Sequence, residues 1–575
     1  MSGTFSRALP FGASYLGDGR TRFRLWAPDQ ATVGVEINKG SPVVMKRTLD
    51  GWFELETFCG PGATYFYRLA SGQLVPDPAS RAQADDVHGP SVVVDPTSYR
   101  WRHPSWSGRP WHEAVLYELH VGAYRGFAGV QADLDRLADL GITAIELMPI
   151  ADFPGRRNWG YDGVLPFAPD GAYGSPDYLK ALIDNAHQRQ LMVYLDIVYN
   201  HFGPDGNYLA SYASVFFRKD SATPWGEAID FHQPQVRRFF IENALYWLME
   251  YRFDGLRFDA VHAIGDSGFL DEMATEIRRS VERGRHVHLM LENDDNDSDR
   301  LRHGFDAQWN DDAHHALHVL LTRESDGYYG DYATDPTRHL LRCLTEGFAY
   351  QGEPSSHRKG RRRGTPSADL PPTSFILFLQ NHDQIGNRPL GDRLTTLAHP
   401  DALKAAIALQ LLCPAIPLLF MGEERLSKAP FQFFTDHHGA LADAVREGRR
   451  REFASFVAFS GNQIPDPNAV ETFEHSKPTR EGNDTFCREL LGIRREHIVP
   501  RLAGARAITG CVIAPAALSV AWRMRDGAIL RVATNLGVTD QPFAAPTGVC
   551  IFSTGQEAQP VLAARSTTVW LEPGP

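Results

Sequence analysis

The sequence is poor in cysteine and has no long apolar run. Its 575 residues include six cysteines, which lie far apart without a C-x-x-C pair, so neither a zinc knuckle nor a dense disulfide framework is expected. No stretch approaches the roughly 18 apolar residues of a membrane span, and the N-terminus lacks the basic-then-apolar layout of a secretory signal. These absences predict a soluble, cytoplasmic protein with reduced thiols and no membrane partner.

An excess of positive charge is also missing. The formal net charge is −12, whereas proteins that hold nucleic acid through phosphate contacts present a basic surface. Nucleic acid is therefore not an expected partner, and a neutral or polar small molecule fits better. With 43% hydrophobic residues the chain can bury a large core, but the sequence does not specify an oligomeric state.

The period of the apolar residues divides the chain into three predicted domains. Residues 1–105 and 501–575 contain short alternating segments separated by Gly, Pro and Asp, which is typical of antiparallel β-sandwiches. Residues 106–500 alternate apolar β-rich runs with amphipathic helical stretches, the pattern of parallel strands joined by crossover helices. The predicted fold is α/β, a (β/α)8 TIM barrel flanked by an N-terminal and a C-terminal β-sandwich.

Eight apolar runs supply the predicted barrel strands. They cover residues 114–119, 143–148, 191–198, 254–259, 287–292, 305–309, 374–380 and 415–421. Between the sixth and seventh runs lies an over-long segment, 323–373, with several prolines and the basic run Arg358 to Arg363. We expect an unstructured or lid-like insertion there, without a binding role for the basic run.

Carboxylates follow three of the predicted strands. Asp259 and Glu292 end the fourth and fifth runs and Asp383 follows the seventh, and active sites of such barrels lie at the C-terminal ends of the strands. Repulsion between ionised carboxylates costs stability, and this cost is tolerated where it raises the pKa of one of them for acid catalysis. Glycoside hydrolysis needs one carboxylate as nucleophile or base and one protonated acid.

The neighbours of two carboxylates predict different roles for them. Arg257 precedes Asp259 by two residues, so both side chains point to the same side of the strand and the cation keeps Asp259 ionised. Glu292 has no adjacent cation in the sequence, so its pKa is freer to rise, which suits a general acid.

Two further sequence patterns, one of histidines and one of aromatic residues, could also indicate a functional site. His286 and His288 on the fifth run allow a metal-dependent hydrolase, but they begin the strand, at the opposite end of the barrel, and we favour core or rim histidines. Trp159 and Tyr161, in the long loop after the second run, offer aromatic faces of the kind on which sugar rings stack.

Four segments resemble, in order and spacing, the motif regions of the α-amylase superfamily, which is glycoside hydrolase family 13. They are Asp196–His201, Gly255–Asp259, Glu292–Asp294 and Asn381–Asp383. Further segments are most similar to the branch that releases trehalose from maltooligosyltrehalose: Glu118–Gly122, Asn158–Gly163, Asp259–Ile264, Gln380–Arg388 and Pro430–His437.

The resemblance implies a retaining hydrolase acting on maltooligosyltrehalose and related α-glucans, with no cofactor and no required metal. It implies Asp259 as nucleophile, Glu292 as general acid/base and Asp383 as the carboxylate that grips the sugar hydroxyls. The implied substrate-binding residues are Trp159, Tyr161, Asp196, His201, Arg257, His262 and His382. The alternatives are a glycogen debranching or branching enzyme of the same superfamily, and a non-catalytic glucan-binding protein.

Overall fold

A closed barrel of eight parallel strands forms the centre of the protein. The computed structural model describes residues 3–223, 226–452, 464–555 and 560–574. Every barrel strand overlaps one of the eight predicted runs, so the predicted fold class is confirmed. The strands, called first to eighth below, are Leu116–Leu119, Ala144–Leu147, Met192–Ile197, Gly255–Phe258, His288–Leu291, Ala307–Trp309, Phe375–Leu377 and Ile416–Phe420.

Helices cross over between most of the barrel strands. Their starts are set by local capping: Ser175 accepts a hydrogen bond from the backbone N–H of Tyr178, and Asp266 accepts one from that of Phe269. Only the 3-10 helix Asp299–Arg302 follows the fifth strand before the sixth begins. The main crossover helices are Leu134–Leu140, Pro176–Gln188, Pro234–Met249, Ser267–Ser280, Asp311–Thr322, Pro400–Leu412 and Thr485–Ile493.

Two antiparallel sheets precede the barrel. Alternate residues such as Phe23, Phe53 and Tyr65 are buried, as expected for strands with one face in a core. One sheet consists of Gly12–Gly17, Arg20–Trp26, Trp52–Phe58 and Lys46–Arg47. The other consists of Val43–Val44, Val33–Ile37, Thr64–Leu69 and Leu74–Val75, with Ser91–Val92 paired to Thr64–Leu69.

Buried ion pairs tie the N-terminal segment to the barrel helix Pro234–Met249. Arg7 Nε lies 2.6 Å from a carboxylate oxygen of Glu242, and Arg81 Nη2 lies 3.3 Å from Glu250 just beyond the helix. Both glutamates are 1% exposed. Two buried glutamates of the barrel region are therefore paired with arginines that precede the barrel in the chain.

A five-stranded antiparallel sheet follows the barrel. Trp522 donates its indole N–H to the carbonyl of Leu344 at 3.1 Å, and the Thr567 hydroxyl donates to that of Ala405 at 2.8 Å, so the sheet packs on barrel helices. Its strands, in spatial order, are Arg506–Ala514, Ala517–Arg523, Ile529–Asn535, Ser566–Glu572 and Val549–Ser553. Domain boundaries near residues 105 and 500 stay a prediction.

The segment 323–373 contains helices and strands, so of the two expectations, an unstructured or a lid-like insertion, the first is wrong and the second stays a prediction. It contains the helices Gly330–Ala333 and Pro336–Glu346 and a small sheet of Glu353–Pro354 with Arg362–Arg363. Within the described ranges of the chain, no helix is long and apolar enough to cross a membrane.

Asp312 organises this insertion. Its buried carboxylate accepts hydrogen bonds from Arg363 Nη1 at 2.7 Å and from the backbone N–H groups of Ala349 and Tyr350 at 2.8 and 2.9 Å, and it also contacts the Tyr332 hydroxyl. A buried carboxylate needs this number of donors to offset its lost hydration. The insertion therefore folds around one charge at the start of the helix Asp311–Thr322.

Candidate active site

The three predicted carboxylates lie at the C-terminal end of the barrel. Asp259 follows the fourth strand, Glu292 follows the fifth, and Asp383 lies in the short helix His382–Gly386 beyond the seventh. The negative charges of Asp259 and Asp383 both raise the pKa of Glu292, so the three groups lie within electrostatic range of one another. Their side chains are 13%, 17% and 41% exposed, in the order Asp259, Glu292, Asp383, which leaves them accessible to a bound molecule.

Arg257 is the cation at the centre of this group. Its fully buried guanidinium places Nη1 2.7 Å from Asp259 and 2.8 Å from Asp196, and Nη2 3.3 Å from Glu292. The guanidinium carbon lies 4.2 Å from the ring centroid of Trp309, a cation–π contact that fixes its plane. Three carboxylates thus share one permanent positive charge.

Asp259 receives a second donor. Asn200, beyond the third strand, donates from Nδ2 to the Asp259 carboxylate at 2.8 Å and to its backbone carbonyl at 3.0 Å. With Arg257 on one oxygen and Asn200 on the other, the Asp259 carboxylate is held in one orientation.

The surroundings of Glu292 raise the pKa of its carboxyl group. Burial raises its pKa well above the ordinary value, the Arg257 charge lowers it, and the charges of Asp259, Asp311 and Asp383 raise it further. One oxygen accepts the backbone N–H of Ala260 at 2.7 Å, and Ala260 adopts a left-handed conformation with φ 40° to direct that N–H. The result is a carboxyl group that is fixed in position and whose pKa is raised.

Asp383 is oriented by its neighbours in the chain. Asn381 caps the helix by accepting the backbone N–H of Asp383 at 2.9 Å. His382 Nε2 and Asn387 Nδ2 lie 3.4 and 3.3 Å from Asp383 Oδ1. The most exposed of the three carboxylates therefore has one oxygen held by these two residues.

Of the two aromatic residues predicted to stack on sugar, Tyr161 lies closer to the charged centre. Its hydroxyl donates to Asp196 at 2.7 Å, and its ring stacks on His382 with centroids 5.1 Å apart. Trp159 is 4% exposed, stacks on Phe431 and meets His382 edge-on at 5.4 Å. The structure thus places Trp159 behind His382, as a support, rather than on the open face of the cleft.

The two remaining predicted histidines lie on either side of Asp259. His201 is 5% exposed and contacts Asn200; burial lowers its pKa, while Asp259 and Asp162 raise it. His262 is exposed and accepts the backbone N–H of Asp294 through Nδ1 at 3.3 Å. His262 is therefore placed against the loop that follows Glu292.

The structure brings in four carboxylates that sequence reasoning did not select. Glu118 and Glu146, on the first two strands, are 1% exposed beneath the site. Burial raises the pKa of Asp311 to about 7, with the charges of Asp294, Asp312 and Asp383 adding to the effect and Arg363 opposing it. Asp312 lies next to it. Glu118 lies in the segment Glu118–Gly122 that the sequence comparison singled out, but no local sequence pattern indicated which residue its carboxylate contacts.

The histidines of the rival metal hypothesis lie elsewhere. His288 Nε2 lies 2.8 Å from the carbonyl oxygen of Arg109, and its ring packs against Trp111 and Tyr194. His286 is exposed beside it, with ring centroids 6.3 Å apart. His288 begins the fifth strand and His286 precedes it, at the end of the barrel opposite the carboxylates. The structure thus agrees with their interpretation as core and rim residues.

The acidic pair after the eighth strand is turned away from the cleft. Glu424 accepts from the Tyr117 hydroxyl at 3.1 Å and from Arg136 at 2.9 Å. Glu423 accepts the backbone N–H of Phe420 at 3.0 Å, and burial raises its pKa to about 8. Both are less than 4% exposed, so they stabilise the end of the barrel.

Comparisons with known proteins agree with this arrangement. A sequence model described as the alpha amylase catalytic domain matches residues 120–225, and one described as a domain of unknown function (DUF3459) matches residues 505–570. A malto-oligosyltrehalose trehalohydrolase from Deinococcus radiodurans is 41% identical over 84% of this chain and 82% of its own length. One from Saccharolobus solfataricus is 38% identical over 85% of this chain and 87% of its own.

Solved structures show the same similarity. A Salmonella typhimurium protein named as an alpha amylase superposes with a TM-score of 0.94 at 45% sequence identity. The match covers 99% of this chain and 100% of that protein. The similarity therefore extends through both flanking sheets as well as the barrel.

Proposed function

This chain belongs to the malto-oligosyltrehalose trehalohydrolase family of the α-amylase superfamily, and from that premise we propose its reaction. It hydrolyses, with retention of configuration, the α-1,4-glucosidic bond next to the terminal trehalose of maltooligosyltrehalose. Trehalose and a shortened glucan are released. Related α-glucans are the other expected ligands.

One observation carries the proposal. Asp259 and Glu292, from neighbouring strands, contact opposite nitrogens of the Arg257 guanidinium at 2.7 and 3.3 Å. Retaining glycosidases need an ionised nucleophile close to a protonated acid. The cation lies closer to Asp259, and burial together with the neighbouring carboxylates raises the pKa of Glu292, as a general acid requires.

In the proposed mechanism Asp259 attacks the anomeric carbon while Glu292 gives its proton to the departing trehalose oxygen. A glycosyl-enzyme forms, and the resulting Glu292 carboxylate then takes a proton from the attacking water. Asp383 binds hydroxyls of the same glucose ring and stabilises the oxocarbenium-like transition state. No step requires a cofactor or a metal ion.

The substrate contacts are proposed from the same geometry. His201, His382 and Tyr161 hold the glucose whose bond is cut, and His262, on the loop beside Glu292, contacts the leaving sugar. Arg257 and Asp196 are buried beneath that ring, and Trp159 supports His382 from behind. These assignments combine the roles that the family implies with the positions of these residues in the structure.

Product analysis tests the proposal directly. The full-length enzyme is incubated with maltooligosyltrehalose and, separately, with a branched glucan, and the products are separated by chromatography. Free trehalose from the first substrate, with no change in branching of the second, is expected. Debranching or branching without trehalose release would contradict it, and the absence of any turnover would support a non-catalytic glucan-binding protein.

We also propose a cytoplasmic location. The six cysteines are widely spaced in the sequence, a pattern more typical of proteins that keep their thiols reduced than of disulfide-rich secreted domains.

A further inference from the structure

Glu118, on the first barrel strand, binds a single residue with both oxygens. Oε1 lies 2.5 Å from Nδ1 of His382, and Oε2 accepts the backbone N–H of the same residue at 3.2 Å. Glu118 and His382 are each 1% exposed. A carboxylate buried in this way interacts with its partner through little screening by solvent.

The ring of His382 has a fixed orientation. Tyr161 stacks on it with an interplanar angle of 24°, and Trp159 meets it edge-on at 89°. With Nδ1 directed at Glu118, the second nitrogen, Nε2, lies 3.4 Å from Asp383 Oδ1. The imidazole thus connects a carboxylate beneath the cleft to a carboxylate within it.

We propose that Glu118 is a positioning residue of the active site, which acts on bound sugar through His382 and Asp383. By accepting the Nδ1–H it keeps the imidazole in its charged form, so that the Nε2–H points as a donor towards Asp383 and the sugar beside it. The proposal rests on the proposed function, because it assumes that Asp383 binds the glucose ring.

The charges around His382 are consistent with this role. Burial lowers its pKa, but the charges of Asp383 and Glu118 outweigh burial and the opposing Arg257 and raise the pKa to about 9. The other titratable groups that act on the ring are His120, Glu146 and Asp196. Burial lowers the pKa of His120 to about 4, so this neighbour is neutral. Removal of Glu118 should therefore let His382 lose its proton at a lower pH.

Glu146 offers a matched control. It pairs in register with Glu118 on the adjacent strand and is equally buried, yet neither of its side-chain oxygens has a hydrogen-bond partner among the described residues. Burial, followed by the charges of Glu118 and Asp196, raises its pKa well above the ordinary value. Glu146→Gln therefore makes the same chemical change one strand away without removing a contact to His382.

The test measures binding in a Glu292→Gln parent, in which the general acid no longer titrates. The dissociation constant for maltooligosyltrehalose is measured by calorimetry from about pH 6 to about pH 9, the range over which the His382 proton is at issue. Adding Glu118→Gln should weaken binding by about 10- to 100-fold, the value of a lost charge-assisted hydrogen bond. The loss should grow with rising pH and should exceed the loss in Glu146→Gln, which removes no hydrogen bond to His382. Adding Glu56→Gln, on the N-terminal sheet, should leave affinity and pH dependence as in the parent.

Each outcome has one meaning. An unchanged dissociation constant and pH dependence in Glu118→Gln, or an equal loss in Glu146→Gln, would overturn the positioning role. If Glu118→Gln does not fold, Glu118→Asp carries the test: weaker binding with the parent's pH dependence supports the proposal, and unchanged binding overturns it. A wild-type enzyme that releases no trehalose would instead overturn the proposed function, so the two failures are distinguishable.

Discussion

Asp259 and Glu292 share one guanidinium but differ in their second partners. Asn200 donates a side-chain N–H to Asp259 at 2.8 Å, whereas Glu292 accepts the backbone N–H of Ala260 at 2.7 Å. Arg257 stands 0.6 Å closer to Asp259 than to Glu292, at 2.7 against 3.3 Å. The same cation therefore lies closer to Asp259, while burial raises the pKa of Glu292.

Glu292→Gln should abolish proton donation without removing the nucleophile. Trehalose release should fall by about 10²- to 10⁴-fold, the contribution of a general acid. With a maltosyl fluoride, whose leaving group needs no proton, kcat/KM should fall much less. Rates are measured for both substrates, with Glu56→Gln on the N-terminal sheet as a control that should match the wild type. Equal losses on both substrates would contradict the assigned role.

The wild-type enzyme should lose activity at alkaline pH. Glu292 must hold its proton to donate it, and its pKa is raised well above the ordinary value, so kcat/KM for maltooligosyltrehalose should decline as the pH rises through that raised pKa. The pKa of His382 is raised to about 9, so the comparison is confined to lower pH. The maltosyl fluoride should show no such decline in that range, and an identical alkaline limb for the two substrates would rule out Glu292 as its origin.

Glu146→Gln should stabilise the fold as the pH rises. The folded-state pKa of Glu146 is raised above its ordinary value of 4.5, so the stability contributed by its proton is complete below that value and is lost as the pH rises through the raised pKa. Glutamine does not titrate. The free energy of unfolding should favour the variant by about 1.4 kcal/mol for each pH unit between the two pKa values.

Denaturant titrations at several pH values measure this difference. The exposed Glu481 supplies the control, since Glu481→Gln should leave the pH dependence of stability unchanged. A Glu146→Gln variant that follows the wild type at every pH would mean that this carboxyl ionises normally in the folded protein.

Within the basic run Arg358 to Arg363, one position should dominate stability. Arg363 is 5% exposed and neutralises Asp312, which is fully buried. Arg363→Met leaves that carboxylate without its cation, and breaking such a pair costs about 3 to 5 kcal/mol. The exposed Arg361 makes one weak contact, at 3.4 Å, to the carbonyl of Arg358, so Arg361→Met should stay within about 0.5 kcal/mol of the wild type.

Urea unfolding of the two variants gives the comparison. Equal midpoints would show that the insertion does not depend on the Asp312 pair. Trehalose release should also fall in Arg363→Met, because Arg363 Nε donates to the carbonyl of Asp294 at 2.7 Å and so holds the loop that follows Glu292.

The barrel could be predicted because its signals are local. Each strand is a short apolar run, and a parallel strand buried on both faces needs no alternation to be recognised. Arg257 and Asp259 could be placed on one side of their strand by a period of two, and the structure has them 2.7 Å apart. The positions of Asp259, Glu292 and Asp383 at strand ends followed from the same runs.

The buried ion pairs could not be predicted, because the two residues of each pair lie far apart in the sequence and form no local pattern. Glu118 meets His382 across 264 residues of sequence, and Arg363 meets Asp312 across 51. The run Arg358 to Arg363 was predicted to lie in a solvated loop, because arginine side chains are usually exposed. Whether such a charge is buried depends on a partner carboxylate whose position only the closed fold determines.

The contacts of Arg7 and Arg81 with Glu242 and Glu250 bear on how this enzyme can be divided. Excision of the first hundred residues would remove two cations from buried carboxylates on and beside the helix Pro234–Met249, and would uncover the helix surface that they pack against. The N-terminal sheets consequently cannot be treated as a detachable carbohydrate-binding module. They are a structural part of the catalytic unit, and a truncated barrel would carry the energetic cost of their loss.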